Sequence, residues 1–176
     1  MFIDPDTLAS DLDTLEGIEK AAVRLVTQAI YEFREEAREI FRRERDLPAD
    51  IAEDITREAL DRIGMSKMHV RLFGKIDYKR ARYIFNRDYA VRQALFVDSK
   101  AEKGDYQTVT LQTTETSLII RHIRAGVQVE EYGQLPSVIE TEDGKLLTTT
   151  VVIKYNYRAL PEENQLVDII IAGVPN

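Results

Sequence analysis

Residues 73–103 read FGKIDYKRARYIFNRDYAVRQALFVDSKAEK, and this stretch holds the side chains best spaced to do chemistry. Two β-rich runs, Val70–Ile84 and Val91–Ala101, flank the polar turn Asn86-Arg87-Asp88-Tyr89. A hairpin centred between Arg87 and Asp88 places Asp77 opposite Asp98. Directly opposed residues have Cβ atoms about 4.5–5.5 Å apart. Two carboxylates that close repel each other unless a proton or a cation sits between them. Side chains alternate across a strand, so Lys100 shares the face of Asp98, and Lys75 that of Asp77. An unrecognised bulge would break this register.

Such a cluster suits phosphodiester hydrolysis. Two carboxylates plus phosphate oxygens make a hard oxygen cage for Mg²⁺. The metal polarises phosphorus–oxygen bonds and lowers the pKa of a bound water. A neighbouring Lys orients that water or stabilises charge on the pentavalent transition state. The bland reading of the same Asp-x-Lys triplet is a surface ion pair across a strand. Other chemistries have less to stand on. There is no Cys, which excludes disulfides, thiolate zinc sites and a Cys nucleophile. The two His, His69 and His122, have no second ligand nearby in sequence and no nucleophile-elbow motif beside them.

Charge is unevenly spread along the 176 residues. The net value is −7, yet residues 64–104 carry ten bases against four acids. The bases are Lys67, Arg71, Lys75, Lys79, Arg80, Arg82, Arg87, Arg92, Lys100 and Lys103. A local basic stripe is the footprint of a phosphate backbone, but these side chains can equally neutralise the acidic helices beside them. Farther on, Lys154, Asn156 and Arg158 alternate with Val151, Ile153, Tyr155 and Tyr157. That polar face either lies along DNA or faces solvent. Gln107–Thr116 is Thr/Gln-rich and reads as a loop or a short helix; Gln107, Gln112 and Thr113 in it either reach a groove or belong to a polar loop, the more ordinary reading.

The elements that must position these residues fall into two blocks, residues 1–63 helical and 64–176 sheet, within one domain. Apolar residues from Leu8 to Phe41 recur at three- and four-residue steps, which predicts one long amphipathic helix or two collinear ones. Its length suggests that Ile30, Phe33, Ile40 or Phe41 contacts a second chain. Pro48 and Gly64 bracket another helix. Strands follow at Ser117–Ile123, Leu135–Thr141, Leu146–Tyr157 and Leu166–Val174, with Asp143-Gly144 as a hairpin turn. The expected class is α/β, a mixed but mostly antiparallel sheet with flanking helices. The first residues are acidic where a signal peptide needs an apolar core, so a soluble, cytoplasmic protein is expected.

At Ile76-Asp77 and Val97-Asp98-Ser99-Lys100 the sequence resembles the PD-(D/E)xK nuclease superfamily, with Ile76 in place of the usual Pro. An ordered set of segments resembles the SfiI-type type II restriction endonucleases more closely. They are Ala52-Glu53-Asp54-Ile55-Thr56, Ile76-Asp77-Tyr78-Lys79-Arg80, Val97-Asp98-Ser99-Lys100-Ala101, Thr110-Leu111-Gln112 and Lys154-Tyr155-Asn156-Tyr157-Arg158. The resemblance spans roughly Leu15 to Pro175. It implies a restriction-endonuclease-like fold in a prokaryotic enzyme, and Mg²⁺-dependent cleavage of duplex DNA by a homodimer or homotetramer at an interrupted palindrome. It places metal binding on Asp77 and Asp98 and the catalytic Lys role on Lys100. Glu53 matches the position of a supporting acid, with Asp54 as the alternative. Candidate DNA contacts are Lys75, Lys79, Arg80, Arg82, Arg87, Lys103, Lys154, Asn156 and Arg158. SfiI-type enzymes continue well past Asn176, and that further part is expected to carry DNA-reading and oligomer contacts. The rival reading is a catalytically silent DNA-binding or assembly relative.

Overall fold

The computed structural model describes residues 2–68 and 81–176. After a short 3₁₀ turn at Pro5–Ser10, α1 runs Leu12–Glu32. The Asp11 carboxylate starts it by accepting from the Thr14 N–H at 3.1 Å. Of the two forms expected, one long helix or two, the chain takes two: α1 stops before Phe33, and α2 runs Arg34–Arg43. Arg34 donates to the Tyr31 carbonyl at 2.7 Å and stacks over the Tyr31 ring, so a carbonyl beside the break has a partner. Glu35 and Glu36 in the first turn of α2, with Arg42 and Arg43 in its last, match the helix dipole. Helix α3, Pro48–Arg62, begins at Pro and ends at Gly64, whose φ of 74° needs a residue without Cβ. Among the described residues no helix is long and apolar enough to cross a membrane.

Among the described residues eight strands follow: β1 Ser66–Lys67, β2 Arg82–Asn86, β3 Val91–Lys103, β4 Ile119–Arg124, β5 Val127–Tyr132, β6 Val138–Thr141, β7 Gly144–Ala159 and β8 Asn164–Pro175. The main sheet is ordered β1-β2-β3-β7, with β6 and β8 sharing the far edge of β7. The sheet is mixed, as expected, but its central pairing, β3 with β7, is parallel and runs from Gln93↔Leu147 to Lys103↔Tyr157. The Asp143-Gly144 turn joins β6 to β7 as expected. Strands β4 and β5 form a separate two-stranded hairpin. Strand β5 was not among the expected strands. Its signals are the alternating Val127 and Val129 and a turn at Ala125-Gly126, both with positive φ, as a type I′ turn demands.

Register between β2 and β3 differs from the expected one. Asn86 pairs with Val91 and Arg82 with Leu95, because the turn takes the four residues Arg87–Ala90. The hairpin is thus centred between Asp88 and Tyr89, which shifts every partner by two residues and preserves the faces. Asp77 lies outside the described residues.

The two faces of the sheet have different company. Leu95, Val151, Ile153 and Tyr155 pack against Val26, Ile30, Phe33, Phe41, Ile55 and Leu60 of the helices. Ile30, Phe33 and Phe41 are therefore buried inside the chain, at 3%, 2% and 0% exposure, and are not available to a second copy as expected; Ile40 is half-buried. The long apolar stripe is used up because α2 and α3 must also be sealed onto the sheet. On the opposite face Ala94 and Phe96 pack with Leu135, Ile139 and Leu146, and beyond them this face turns polar.

Candidate active site

Strand β3 carries Asp98, Ser99 and Lys100 alternately to the two faces. Ser99 points to the helices and donates its hydroxyl to Thr56 Oγ1 at 2.7 Å; Thr56 also pairs with the buried Tyr155 hydroxyl at 2.8 Å. Burial raises the Tyr155 phenol above its ordinary pKa. Asp98 and Lys100 point to the polar face. Asp98 is buried, and its Oδ2 is 2.6 Å from the Lys100 ammonium. The sequence pattern therefore puts Asp98 and Lys100 together, as expected.

A third member escaped the sequence reading. Glu115, also buried, reaches the same ammonium, with oxygens at 3.3 and 3.4 Å. It sits in the short 3₁₀ turn Thr113–Glu115, where the N–H of the preceding Gln112 donates to Glu115 Oε2 at 2.9 Å. That capping box, Gln112-x-x-Glu115, was the available signal in a segment that otherwise reads as loop. The turn is tied down further. Thr150 Oγ1 donates to the Glu115 carbonyl at 2.8 Å, and the Gln134 N–H to the Thr113 carbonyl at 2.7 Å.

The expected polar face of β7 has a different job. Lys154 and Asn156 are each 1% exposed and so are closed off from solvent. The Lys154 ammonium donates to the carbonyls of Tyr106 and Thr108, both at 2.6 Å, and pairs with Glu102 at 2.5 Å. Asn156 donates to the same Tyr106 carbonyl at 3.2 Å. These two side chains staple the segment after β3 over the sheet, and only Arg158 of the three is exposed. Lys154→Met is expected to cost about 2 kcal/mol, because two backbone carbonyls lose a charged donor. Urea denaturation measures it, and a loss under about 0.5 kcal/mol would mean that the segment is held by other contacts.

Arg82 is likewise structural. It is buried and donates to Asp61 Oδ1 at 2.5 Å and to the Met65 carbonyl at 2.9 Å, tying β2 to the end of α3. Asp61 also pairs with Lys67, and these cations hold its carboxyl below the ordinary carboxylate value. Arg87 and Lys103 are exposed, as expected of surface cations. Lys75, Lys79 and Arg80 lie outside the described residues. Glu53 lines a cleft between α3 and β3, together with Thr56, Arg57, Val97, Asp98 and Ser99. Asp54, the alternative, points to solvent and pairs with Arg57 at 2.6 Å. His122 sits on the β4–β5 hairpin, 3.8 Å from Glu131, away from any nucleophile pairing.

The donors suit a hard divalent cation. Asp98 is a buried carboxylate at this site, and carboxylate oxygens are the ligands a hard divalent cation takes. Among the described residues no three His, Cys, Asp or Glu side chains gather closely enough to hold a metal by themselves.

The description "Type II restriction enzyme SfiI" belongs to the family model that matches residues 17–176. The type II restriction enzyme SfiI of Streptomyces fimbriatus is 31% identical over 183 aligned positions, covering 94% of this chain and 66% of that enzyme. The solved tetrameric SfiI bound to cognate DNA superposes with a TM-score of 0.78 at 27% identity, again over 94% and 66% of the two chains. The restriction endonuclease BglI, solved on its DNA recognition sequence, superposes at 0.76 with 15% identity over 98% and 76%, a likeness of fold. The chain thus spans about two thirds of the length of the SfiI relative. Sequence and fold agree that the chain belongs to the SfiI family of type II restriction enzymes.

Proposed function

We propose that this protein is a Mg²⁺-dependent, sequence-specific endonuclease of duplex DNA. The observation that carries the reading is the buried Asp98–Lys100 pair on one face of β3, in a chain of the SfiI family. Asp98, with Asp77, would hold the metal, and Glu53 at the cleft is the supporting acid. Bound there, Mg²⁺ supplies Lewis-acid polarisation of the scissile phosphate and a more acidic water. Lys100 would orient the attacking water in line at phosphorus and offset charge on the pentavalent transition state. The bond from phosphorus to the sugar 3′ oxygen breaks as the new one to water forms; the attacking water gives a proton to solvent and the leaving 3′ oxygen takes one from solvent. The burial of Asp98 excludes bulk water, which strengthens each of these interactions. Digestion of a mixed plasmid panel with and without Mg²⁺ tests the reading. Discrete fragments only with the metal are expected, and DNA binding without cleavage on every substrate would replace it with the silent relative.

Assembly follows from the substrate. A palindrome presents the same chemistry to two copies related by a twofold axis, so a homodimer is the smallest unit that cuts both strands. The relative SfiI is tetrameric on DNA, and a homotetramer is the larger form of the same proposal. Sedimentation at low micromolar concentration distinguishes these from a 20.2 kDa monomer.

DNA contacts are assigned to the exposed Arg87, Lys103 and Arg158 and to Lys75, Lys79 and Arg80. The logarithm of affinity is expected to fall linearly with the logarithm of salt concentration, and each lost phosphate contact lowers the slope by about 1. Arg87→Glu and Lys103→Glu are expected to weaken binding to all sequences about equally. A slope near zero in the parent protein would assign these cations to balancing the acidic helices.

A further inference from the structure

Lys100 is held from two directions, and only one of them belongs to the Asp-x-Lys pattern. Asp98 lies two residues away on the same strand and moves with Lys100. Glu115 comes from an independent element, the 3₁₀ turn Thr113–Glu115. That turn is fixed to β7 through Thr150 and to the segment leading to β6 through the Gln134 and Leu135 N–H groups. Its carboxylate is oriented by the Gln112 N–H and buried to 6% exposure. A carboxylate fixed this firmly, at 3.3–3.4 Å from an ammonium that is one-quarter exposed, sets where that ammonium can go. Asp98 is also the residue assigned to the metal, and a carboxylate engaged by a divalent cation has less charge to offer Lys100. A second, separate anion is then needed to keep the ammonium aimed.

We propose that Glu115 is a positioning residue: it holds the Lys100 ammonium in line for the phosphate while Asp98 serves the metal. This rests on the endonuclease reading above. Glu115 acts through Lys100, which its carboxylate reaches at 3.3–3.4 Å. A misplacement of a catalytic group by about 1 Å costs up to a hundredfold in rate, so a loosened Lys100 lowers turnover rather than affinity.

Glu115→Gln tests it, because the amide oxygen keeps an acceptor for the Gln112 N–H while the charge is lost. About a tenfold fall in kcat is expected, with KM for duplex within about twofold. Glu115→Asp, which keeps the charge on a shorter arm, is expected to recover part of that loss. A second measurement uses the metal-free protein. Glu115→Gln is expected to lower Tm by about 3 °C in the parent and by under about 1 °C in a Lys100→Met background, a coupling that a purely structural cap does not give. Unchanged kcat, a loss confined to KM, or equal Tm losses in both backgrounds would overturn the proposal. If the parent cuts no duplex with Mg²⁺, the endonuclease reading fails. The metal-free cycle still decides whether Glu115 holds Lys100.

Discussion

Asp98→Ala and Lys100→Met are each expected to lower duplex cleavage by about two to three orders of magnitude while leaving the fold intact. In the proposed mechanism Asp98 supplies a buried carboxylate to the metal, and Lys100 supplies the cation that meets charge developing on phosphorus. The two variants are expected to differ in the metal-free protein. Lys100→Met takes from Asp98 and Glu115 the ammonium that both reach. Breaking a largely buried ion pair in this way costs about 2–3 kcal/mol, at the low end because Lys100 is 26% exposed. Mg²⁺ bound at the proposed site returns a positive charge beside Asp98, so it is expected to raise the Tm of Lys100→Met more than that of the parent. Asp98→Ala removes one of the two carboxylates, leaves Lys100 paired with Glu115, and is expected to cost less. Calorimetry with and without Mg²⁺, beside single-turnover cleavage, checks all of this. Full cleavage by either purified variant would move the chemistry elsewhere.

The second large effect concerns Glu19, a carboxyl on α1 that faces the sheet away from the candidate active site. It is 8% exposed and accepts the Thr149 hydroxyl at 2.9 Å; its other oxygen and that of Gln93 have no hydrogen-bond partner among the described residues. Burial pushes its pKa up from 4.5 to about 7, only partly offset by Thr149. The folded pKa is raised, so the stability contribution is fully present below about pH 4.5, where both states are protonated. It is lost as pH rises to about 7, because the unfolded chain ionises first. The loss approaches about 3 kcal/mol above pH 7. Glu19→Gln carries a neutral amide with a donor where the partnerless oxygen stands. The variant is expected to match the parent near pH 4.5 and to exceed it by about 2–3 kcal/mol at pH 8. Urea denaturation at pH 4.5, 6 and 8 reads the difference directly. A difference that does not change with pH would mean that Glu19 ionises at its ordinary value in the folded protein.

Much of the architecture was legible in local chemistry. Three-and-four spacing from Leu8 to Phe41 and the Pro48 and Gly64 brackets mark the helices, because amphipathic period and end signals act within a few residues. Period-two apolar runs mark β3, β7 and β8, and Asp143-Gly144 marks the β6–β7 turn. Alternation also put Asp98 and Lys100 on one face, since side-chain direction along a strand depends only on parity. The family segments added the expectation of a metal, a substrate class and an assembly, none of which periodicity contains.

What the tertiary structure alone decided are relations between residues far apart in the chain. The parallel β3–β7 pairing joins positions 54 apart across a connection that carries its own hairpin, and no turn signal encodes a pairing that long. It brings Lys154 beside Lys100, yet the segment after β3 folds back over the former and buries it. A polar residue on a strand therefore reads as surface or DNA contact until a loop of backbone carbonyls is placed on it. Arg82 follows the same logic, its charge consumed by Asp61 and a helix-end carbonyl. Glu115 shows the converse. Alone in a Thr/Gln-rich stretch it carries no catalytic signature, and its role arises from the long-range contact that sets a carboxylate 3.3 Å from Lys100. Sequence determines which side chains are available and which way each local element turns them; burial against distant chain decides which charges remain free to act.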